Sequence, residues 1–294
     1  MRILIAGKHC QLATALVDAA RAETGMHAVA MGHKTLNICD AFSVENRVME
    51  TSPDIIVNAA AYTAVDKAEK EQAEAFAINE SGPRLLAQAA ARRKIPLIHV
   101  STDYVFDGTK SGLYAEEDPV APAGVYGASK LAGEVAVRQA NPNHLILRTA
   151  WIYSATGHNF VKTMLRLAAD RDQFAVVDDQ QGSPTYAPHL AVAILDIIRE
   201  ISRDTSIQPW GIYHLAGAGT TTWHGLAQEV FRCSREVGGP HADVRPILTS
   251  EYPTLAKRPA NSRLDCSKAR HVFGVELPEW KQGVADCVAR LTPS

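Results

Sequence analysis

The 294-residue sequence lacks several features that mark whole classes of proteins. No apolar run reaches the roughly 18 residues of a membrane helix, and even Ala187 to Ile198 is interrupted by His189 and Asp196. The five cysteines are odd in number and form no Cys-x-x-Cys pair, which argues against a disulfide framework or a structural zinc site. Thirty Lys and Arg face 32 Asp and Glu, so there is no basic surplus to attract nucleic acid. We therefore expect no membrane segment, no nucleic-acid partner and a reducing, cytoplasmic location.

The first half of the chain alternates short apolar runs with longer amphipathic patterns. Strands are predicted at Arg2–Ala6, His27–Met31, Asp54–Asn58, Ile95–Ser101 and His144–Arg148. Helices are predicted at Gln11–Glu23, Ala41–Glu50, Val65–Asn79, Pro83–Arg93 and Gly124–Gln139. This alternation predicts an α/β protein with a Rossmann-type, doubly wound parallel sheet covered by helices on both faces.

The alternation loosens beyond residue 150. Helical patterns there are separated by loops with Gly and Pro, at Asn159–Asp170, Pro188–Ser202, Trp223–Val237 and Glu279–Leu291. The stretches Asp178–Pro188 and Thr249–Asn261 are expected to be ordered loops that line a site. We predict an NAD(P)-binding Rossmann domain over residues 1–150, to which later segments return. Residues 151–294 are expected to form mainly a smaller C-terminal substrate-binding lobe.

The turn between the first predicted strand and helix has the spacing of a dinucleotide site, where a pyrophosphate meets a helix N-terminus. Its residues are Gly7, Cys10 and Ala13, in the pattern Gly-x-x-Cys-x-x-Ala. Ala13 is small enough for helix–strand packing, whereas the Cys10 side chain is expected to crowd the phosphate. An ordinary strand–helix turn is the alternative. The cofactor-binding residues predicted here are Gly7, Cys10, Gln11 and Leu12.

The second predicted strand is followed by no acidic residue of the kind that holds the ribose of NAD. Lys34, with a protonated His33, can instead face the 2′-phosphate of NADPH, although either can equally be a solvated loop charge. The cofactor is accordingly predicted to be NADPH or NADH, with NADPH favoured. Small residues after the third strand let the backbone lie against a cofactor, although simple packing also explains them. The further cofactor-binding residues predicted are Lys34, Asp40, Ala59, Ala60, Ala61 and Tyr62.

A catalytic group is predicted at the end of the fourth strand, where ligands bind in such sheets. Tyr126 and Lys130 stand four residues apart at the start of the next helix and so share one face. An ammonium beside a phenol favours the phenolate and lowers the pKa of the tyrosine, which suits proton transfer. Thr102, at the strand end, can complete the hydrogen bonding to the same substrate oxygen. A chance helical pair is the alternative to this catalytic reading.

At this point the chain resembles the extended short-chain dehydrogenases/reductases and, among them, the dTDP-4-dehydrorhamnose reductase family. The segments that carry the resemblance are Asn58–Glu69, Ser101–Gly108, Tyr126–Glu134, Arg148–Tyr153, Gln181–Thr185 and Arg258–Asp265. The last three lie outside the motifs of the general fold, which makes the resemblance specific. It implies NAD(P)H-dependent reduction of the 4-keto group of dTDP-4-dehydro-β-L-rhamnose to dTDP-β-L-rhamnose.

The resemblance also implies residue roles. Tyr126 would protonate the C4 oxygen, Lys130 would hold the nicotinamide ribose and lower the pKa of Tyr126, and Thr102 would bind the substrate oxygen. Two of the residues have a structural alternative: Trp151 also fits a position in the core, and Arg258 also fits an ion pair at the surface. The substrate-binding residues implied are Val65, Thr102, Asp103, Tyr104, Trp151 and Arg258.

Two departures and two alternative functions accompany the resemblance. Cys10 and Ala13 stand where the family usually has glycine. Ala15 stands where some members carry an acidic residue for a metal between subunits, so no metal is expected, although a homodimer is.

The sequence also fits another nucleotide-sugar reductase or 4-epimerase. A third possibility is a non-catalytic subunit resembling the β-subunit of methionine adenosyltransferase.

Overall fold

The computed structural model describes residues 1–203 and 209–292. Its strands are β1 (Arg2–Ala6), β2 (His27–Met31), β3 (Ile55–Asn58), β4 (Leu97–Thr102), β5 (His144–Thr149), β6 (Ile152–Tyr153), β7 (Gln173–Val177), β8 (Gln181–Gly182), β9 (Thr185–Tyr186), β10 (Gly211–His214), β11 (Thr221–Thr222), β12 (Asp243–Ile247) and β13 (Asn261–Ser262). Its α-helices are α1 (Gln11–Arg21), α2 (Ala41–Thr51), α3 (Val65–Ala68), α4 (Gln72–Phe76), α5 (Gly82–Arg92), α6 (Val125–Ala140), α7 (Phe160–Asp170), α8 (Ala187–Arg203), α9 (Trp223–Glu236), α10 (Ser267–Phe273) and α11 (Trp280–Leu291). In these ranges no helix is both long and apolar enough to cross a bilayer.

The main sheet has six parallel strands in the order β10-β5-β4-β3-β1-β2. Its central strands are buried on both faces because helices cover both. The chain first places β2 on one side of β1 and then crosses to β3 on the other, so the sheet is doubly wound. The predicted Rossmann-type fold is confirmed. Ligands bind such sheets at the carboxyl ends of the strands, where the Gly7 turn and Thr102 lie.

One predicted helix, Val65–Asn79, is wrong as a single element. The chain forms α3 and α4 there and then a π-helical turn over Ala77–Ser81, which runs directly into α5. The wider turn carries Asn79, which is fully buried and bonds outside its own helix. π-Turns are rare and often lie near functional sites.

The second half both completes the main sheet and builds a separate core. Helix α8 packs in one hydrophobic cluster with α1 and β1, and β10 extends the sheet beside β5. A second cluster joins α7, α9 and α11. The predicted helices of this half are confirmed, but β10 and α10 were not predicted. The expected loops contain β8, β9 and the start of β13, because two-residue strands are too short to show an alternating pattern.

A buried ion pair fixes helix α6 to the sheet. Arg148 of β5 donates from Nε and Nη2 to the two carboxylate oxygens of Glu134 at 3.0 and 2.7 Å. The side chains are only 2% and 1% exposed. Ser101 of β4 donates to the same carboxylate at 2.5 Å, and the guanidinium lies 5.1 Å from the centre of the Phe106 ring. The start of α6, which carries Tyr126 and Lys130, is thereby held over β4 and β5.

Substitution of Arg148 tests this anchor. Arg148→Met leaves Glu134 buried and unpaired, and we expect the free energy of unfolding to fall by about 3–5 kcal/mol. The double variant Glu134→Gln/Arg148→Met should lose less, because no charge is left unpaired. Urea unfolding followed by circular dichroism measures both.

Arg199→Met is the matched control, since it removes a partly exposed arginine that pairs with Asp196 and Glu23. It should cost about 1 kcal/mol or less. Equal losses for Arg148→Met and Arg199→Met would contradict the anchoring role of the buried pair.

Candidate active site

Gly7 begins the turn between β1 and α1, and the space there admits only glycine. Its φ is +112°, and a Cβ atom would lie 2.8 Å from the nitrogen of Ala60. Its N–H donates to Met31 of β2 at 2.9 Å, which ties the turn to the neighbouring strand. The close approach brings the first turn of α1 against the loop that follows β3. This is the place where Rossmann-type proteins hold a pyrophosphate.

Cys10 is the N-cap of α1. Its thiol accepts a hydrogen bond from the N–H of Ala13 at 3.3 Å and donates to the carbonyl of Ala59 at 3.4 Å. Burial raises the pKa of the thiol, so it stays neutral. The cysteine therefore caps α1 and joins the turn to the loop after β3. Its predicted crowding of a phosphate stays a prediction.

Gln11 and Leu12, also predicted to bind cofactor, point their side chains away from the turn. The Gln11 amide accepts from Asn159 at 2.9 Å and donates to the carbonyl of Ile152 at 3.5 Å, both in the second half of the chain. Leu12 is buried in the core between α1 and α8. The backbone of both residues stands in the first turn of α1, and their contact with a cofactor stays a prediction.

The loop Ala59–Tyr62 follows β3 and is pinned by Asn79. The Asn79 side chain accepts from the N–H of Tyr62 at 2.8 Å and donates to its carbonyl at 3.1 Å. It also donates to Ser129 of α6 at 3.0 Å. One buried amide thus sets the distance between the loop and the helix that carries Tyr126. The sequence does not mark Asn79 as functional, since it offers only an asparagine inside a helical pattern.

The remaining predicted cofactor residues are exposed. Lys34 lies with His33 on the loop after β2. The Asp40 carboxylate accepts from the N–H of Phe42 at 3.0 Å and caps α2, as the sequence predicts for the helix. That bond gives Asp40 a structural role, and its cofactor contact stays a prediction.

The three predicted catalytic residues meet at the carboxyl end of β4. Thr102 is its last residue, and Tyr126 stands in the first turn of α6, close enough to Thr102 for that side chain to affect the pKa of its phenol. Lys130 lies one turn further along α6, and its ammonium donates to the carbonyl of Val100 in β4 at 2.7 Å. The shared helix face predicted from the spacing of Tyr126 and Lys130 brings both onto one strand end.

The electrostatics of Tyr126 differ from the prediction. Burial raises the pKa of the Tyr126 phenol, the charges of Asp103 and Tyr104 add to the rise, and the hydrogen bond with Thr102 opposes it. The prediction that Lys130 lowers this pKa is wrong for the structure as it stands. The phenol holds its proton at neutral pH, which is the state that a proton donor needs.

The electrostatics of Lys130 are set by its burial and by its contact with β4. Its side chain is 2% exposed, and burial lowers its pKa to about 8, against an opposing effect of the nearby Glu134 carboxylate. The bond to Val100 holds the ammonium against the strand. The lysine is therefore mainly charged at pH 7.

Asp103 brings an acidic group directly beside the catalytic threonine. The Thr102 hydroxyl donates to Asp103 Oδ1 at 2.9 Å, while Asp103 Oδ2 has no hydrogen-bond partner among the described residues. Burial raises the pKa of Asp103 to about 6. Ser262 Oγ is also buried without such a partner, yet lies close enough to oppose this rise. Two unsatisfied polar atoms next to Thr102 are suited to bind substrate hydroxyls; sequence reasoning did not single out Ser262.

Tyr104 and Arg258 form a polar chain on the other side of Tyr126. The Tyr104 ring meets the Tyr126 ring edge-on, with centroids 5.5 Å apart. Arg258 donates to the Tyr104 hydroxyl at 3.3 Å and pairs with Asp66 at 2.5 Å. Val65, half-buried, is the first residue of α3 just before Asp66. Arg258 thus reaches the site predicted for it and also makes an ion pair there.

Trp151 stands at the same edge of the sheet, two residues beyond Thr149, which pairs with Thr102 across β4 and β5. Its ring stacks on Trp223. The structure therefore brings the predicted substrate residues to one edge, while Lys34 and Asp40 lie apart from Tyr126 on the loop between β2 and α2.

A doubly wound sheet with threonine, tyrosine and lysine at the end of β4 defines an oxidoreductase of the extended short-chain dehydrogenase/reductase class. The chain belongs to the family described as the RmlD substrate binding domain, whose model matches residues 1–292.

Individual relatives agree with this assignment. The chain is 48% identical to the dTDP-4-dehydrorhamnose reductase of Sinorhizobium fredii over 96% of its own length and 95% of the relative. Its structure is similar to that of a dTDP-4-dehydrorhamnose reductase from Clostridium acetobutylicum, with TM-score 0.91, 35% identity and 99% of each chain covered. The Bacillus anthracis reductase, solved in complex with NADP, matches with TM-score 0.88 and 35% identity over 97% of this chain and 98% of the other.

The raised pKa of Asp103 predicts a pH-dependent stability. The folded state favours the protonated carboxyl of Asp103. The contribution of this carboxyl to the free energy of unfolding is therefore fully present below its ordinary pKa of 3.8 and is lost as the pH rises through about 6. Asp103→Asn removes the titration. Relative to the wild type, its free energy of unfolding should rise by about 3 kcal/mol between pH 3 and pH 7. Urea unfolding at a series of pH values measures the difference.

Asp107→Asn is the control of opposite sign. Hydrogen bonds from Thr109 and Tyr114 lower the pKa of Asp107, so its carboxylate stabilises the fold above its ordinary pKa. The stability of Asp107→Asn relative to wild type should therefore fall as the pH rises. A flat difference for Asp103→Asn would contradict the burial of an ionisable acid.

Proposed function

We propose that this protein uses NAD(P)H to reduce the 4-keto group of dTDP-4-dehydro-β-L-rhamnose, which yields dTDP-β-L-rhamnose. The observation that carries the proposal is the meeting of Thr102, Tyr126 and Lys130 at the carboxyl end of β4. The names of the relatives supply the substrate, because motifs do not encode which sugar a pocket accepts. The free thiols of all five cysteines support a cytoplasmic setting.

The residues around α1 fit a dinucleotide. Gly7 lets the backbone of Ala59 and Ala60 approach the turn where a Cβ atom would clash, and the N-terminus of α1 favours a phosphate. The loop Ala59–Tyr62 lies beside this turn, and Lys130 would hold a ribose hydroxyl. When bound, the reduced nicotinamide supplies the hydride.

Tyr126 is the proton donor. Its raised pKa keeps the phenol protonated until negative charge develops on the C4 oxygen, when the proton moves to that oxygen. Thr102 donates a hydrogen bond to the same oxygen in exchange for its bond to Asp103.

The substrate contacts follow from the unsatisfied and cationic groups. Asp103 Oδ2 and Ser262 Oγ bind sugar hydroxyls, and Tyr104 lines the pocket between them and Arg258. Besides its ion pair with Asp66, the guanidinium of Arg258 has further N–H groups that can donate to the diphosphate. Val65 and Trp151 add apolar surface. Residues 151–294 thus serve mainly the substrate, while α8 and β10 belong to the core of residues 1–150.

Removal of the proton donor tests the proposal. Tyr126→Phe keeps the ring but not the proton, so we expect kcat for the dTDP-4-keto sugar to fall by about 10²–10⁴-fold. The dissociation constant of NADPH should change little. Loss of NADPH absorbance in the presence of the sugar measures the rate.

Tyr213→Phe is the matched control, because its hydroxyl donates to the carbonyl of Pro209 near the edge of the sheet, away from Tyr126. It should retain wild-type kcat. If purified wild type does not oxidise NADPH with this sugar, the reductase proposal fails. An epimerase would convert a nucleotide sugar without net oxidation of NADPH, and a regulatory subunit would convert none.

Cofactor selectivity gives a second test. Lys34 is exposed after β2, where a cation meets the 2′-phosphate of NADPH. Lys34→Ala should raise KM for NADPH about 10-fold, the loss of roughly 1.4 kcal/mol of charged hydrogen bonding, and leave KM for NADH unchanged. Equal wild-type kcat/KM values for the two cofactors would contradict this role.

A further inference from the structure

Trp151 adopts a backbone conformation that a bulky residue rarely takes. Its φ is +48°, in the left-handed region, between β5 and β6. Strained residues persist where the surrounding structure holds them, and they cluster at functional sites. The structure shows what holds Trp151 in this conformation.

The Trp151 ring lies against two elements from the second half of the chain. It stacks on Trp223, with ring centroids 3.6 Å apart and planes 9° from parallel. It also fills the space over Gly182 of β8, where a Cβ atom would lie 2.3 Å from the indole. The glycine and the second tryptophan together leave one place for the ring.

Trp223 is itself fixed. It is the first residue of α9, and its indole N–H donates to the Gln180 side chain at 3.1 Å. Phe160 packs on its ring at 4.7 Å between centroids. The stack therefore rests on a rigid support and not on a loose loop.

The stack joins the catalytic edge from two directions. Trp151 follows Thr149, the sheet partner of Thr102. Gly182 pairs with Ser262 between β8 and β13, and Ser262 lies beside Asp103. A shift of the Trp151 ring therefore moves the backbone that leads to Thr102 and the β8–β13 pair that carries Ser262.

We propose that Trp223 is a positioning residue for the sugar-binding site. Its indole, with Gly182, holds Trp151 in the left-handed conformation and sets how far the edge of that ring reaches towards the deoxysugar. Because Trp223 and Gly182 lie against the two faces of the Trp151 ring, the ligand contact is the apolar edge of the indole against the sugar, with the hydroxyls left to Asp103 and Ser262. This inference rests on the proposed function.

A purely structural role is the alternative, because Trp223 also packs against the core of α7, α9 and α11. The two roles differ in what a variant changes. A structural role alters stability only, whereas a positioning role alters KM for the sugar and not KM for NADPH.

The test uses two variants that act on Trp151 from different elements. Trp223→Leu removes the stack, and Gly182→Ala pushes the ring away while Trp223 stays. Stacked indoles give an exciton-coupled pair of bands in circular dichroism, and both variants should weaken it. Each should raise KM and the dissociation constant for the dTDP-sugar about 3- to 10-fold, the value of one aromatic pair. KM for NADPH should stay within twofold.

Trp280→Phe is the matched control: a buried tryptophan of the same core that should leave the exciton bands and KM in place. Trp223→Phe serves if the leucine variant does not fold. Absence of the exciton bands in the wild type overturns the inference. Loss of the bands in the variants, with an unchanged dissociation constant for the dTDP-sugar, overturns it as well. Binding of the dTDP-sugar without turnover would contradict only the proposed reductase function, since the dissociation constants still decide the role of Trp223.

Discussion

Close contact between α6 and the carboxyl end of β4 is the constraint on which the rest of the site depends. A Cβ atom on Gly127 would lie 2.1 Å from the carbonyl oxygen of Tyr104, and one on Gly133 would lie 2.0 Å from that of Asn79. The two glycines let α6 lie against Tyr104, just after β4, and against the π-helical turn that carries Asn79, and the buried Arg148–Glu134 pair ties the helix to β5. Tyr126 and Lys130 reach β4 because of this packing.

The same burial sets the chemistry. Burial raises the pKa values of Tyr126 and Asp103 and lowers that of Lys130. At rest the site therefore holds a neutral phenol, a carboxyl that titrates near pH 6 and a lysine that is mainly charged. A neutral phenol suits protonation of a carbonyl oxygen, which is the direction of a reductase. Burying ionisable groups costs stability, and proteins retain such groups chiefly where function needs them.

The sequence predicts the parallel sheet well because strands buried on both faces are continuous apolar runs between helical patterns. It predicts Tyr126 and Lys130 because a four-residue spacing places two side chains on one helix face. It does not predict Asn79, Ser262 or Trp223, whose contacts join positions far apart in the chain. Nor does it predict the pKa of Tyr126, which depends on burial and on where the Lys130 ammonium is bonded.

The most direct test of the account follows the hydride itself. Purified protein is given the dTDP-4-keto sugar and NADPH deuterated at the transferable position, and the product is examined by nuclear magnetic resonance. The account predicts dTDP-β-L-rhamnose with deuterium at C4 and one equivalent of NADPH oxidised. Recovery of unlabelled sugar, or of an epimer without net oxidation of NADPH, would contradict it.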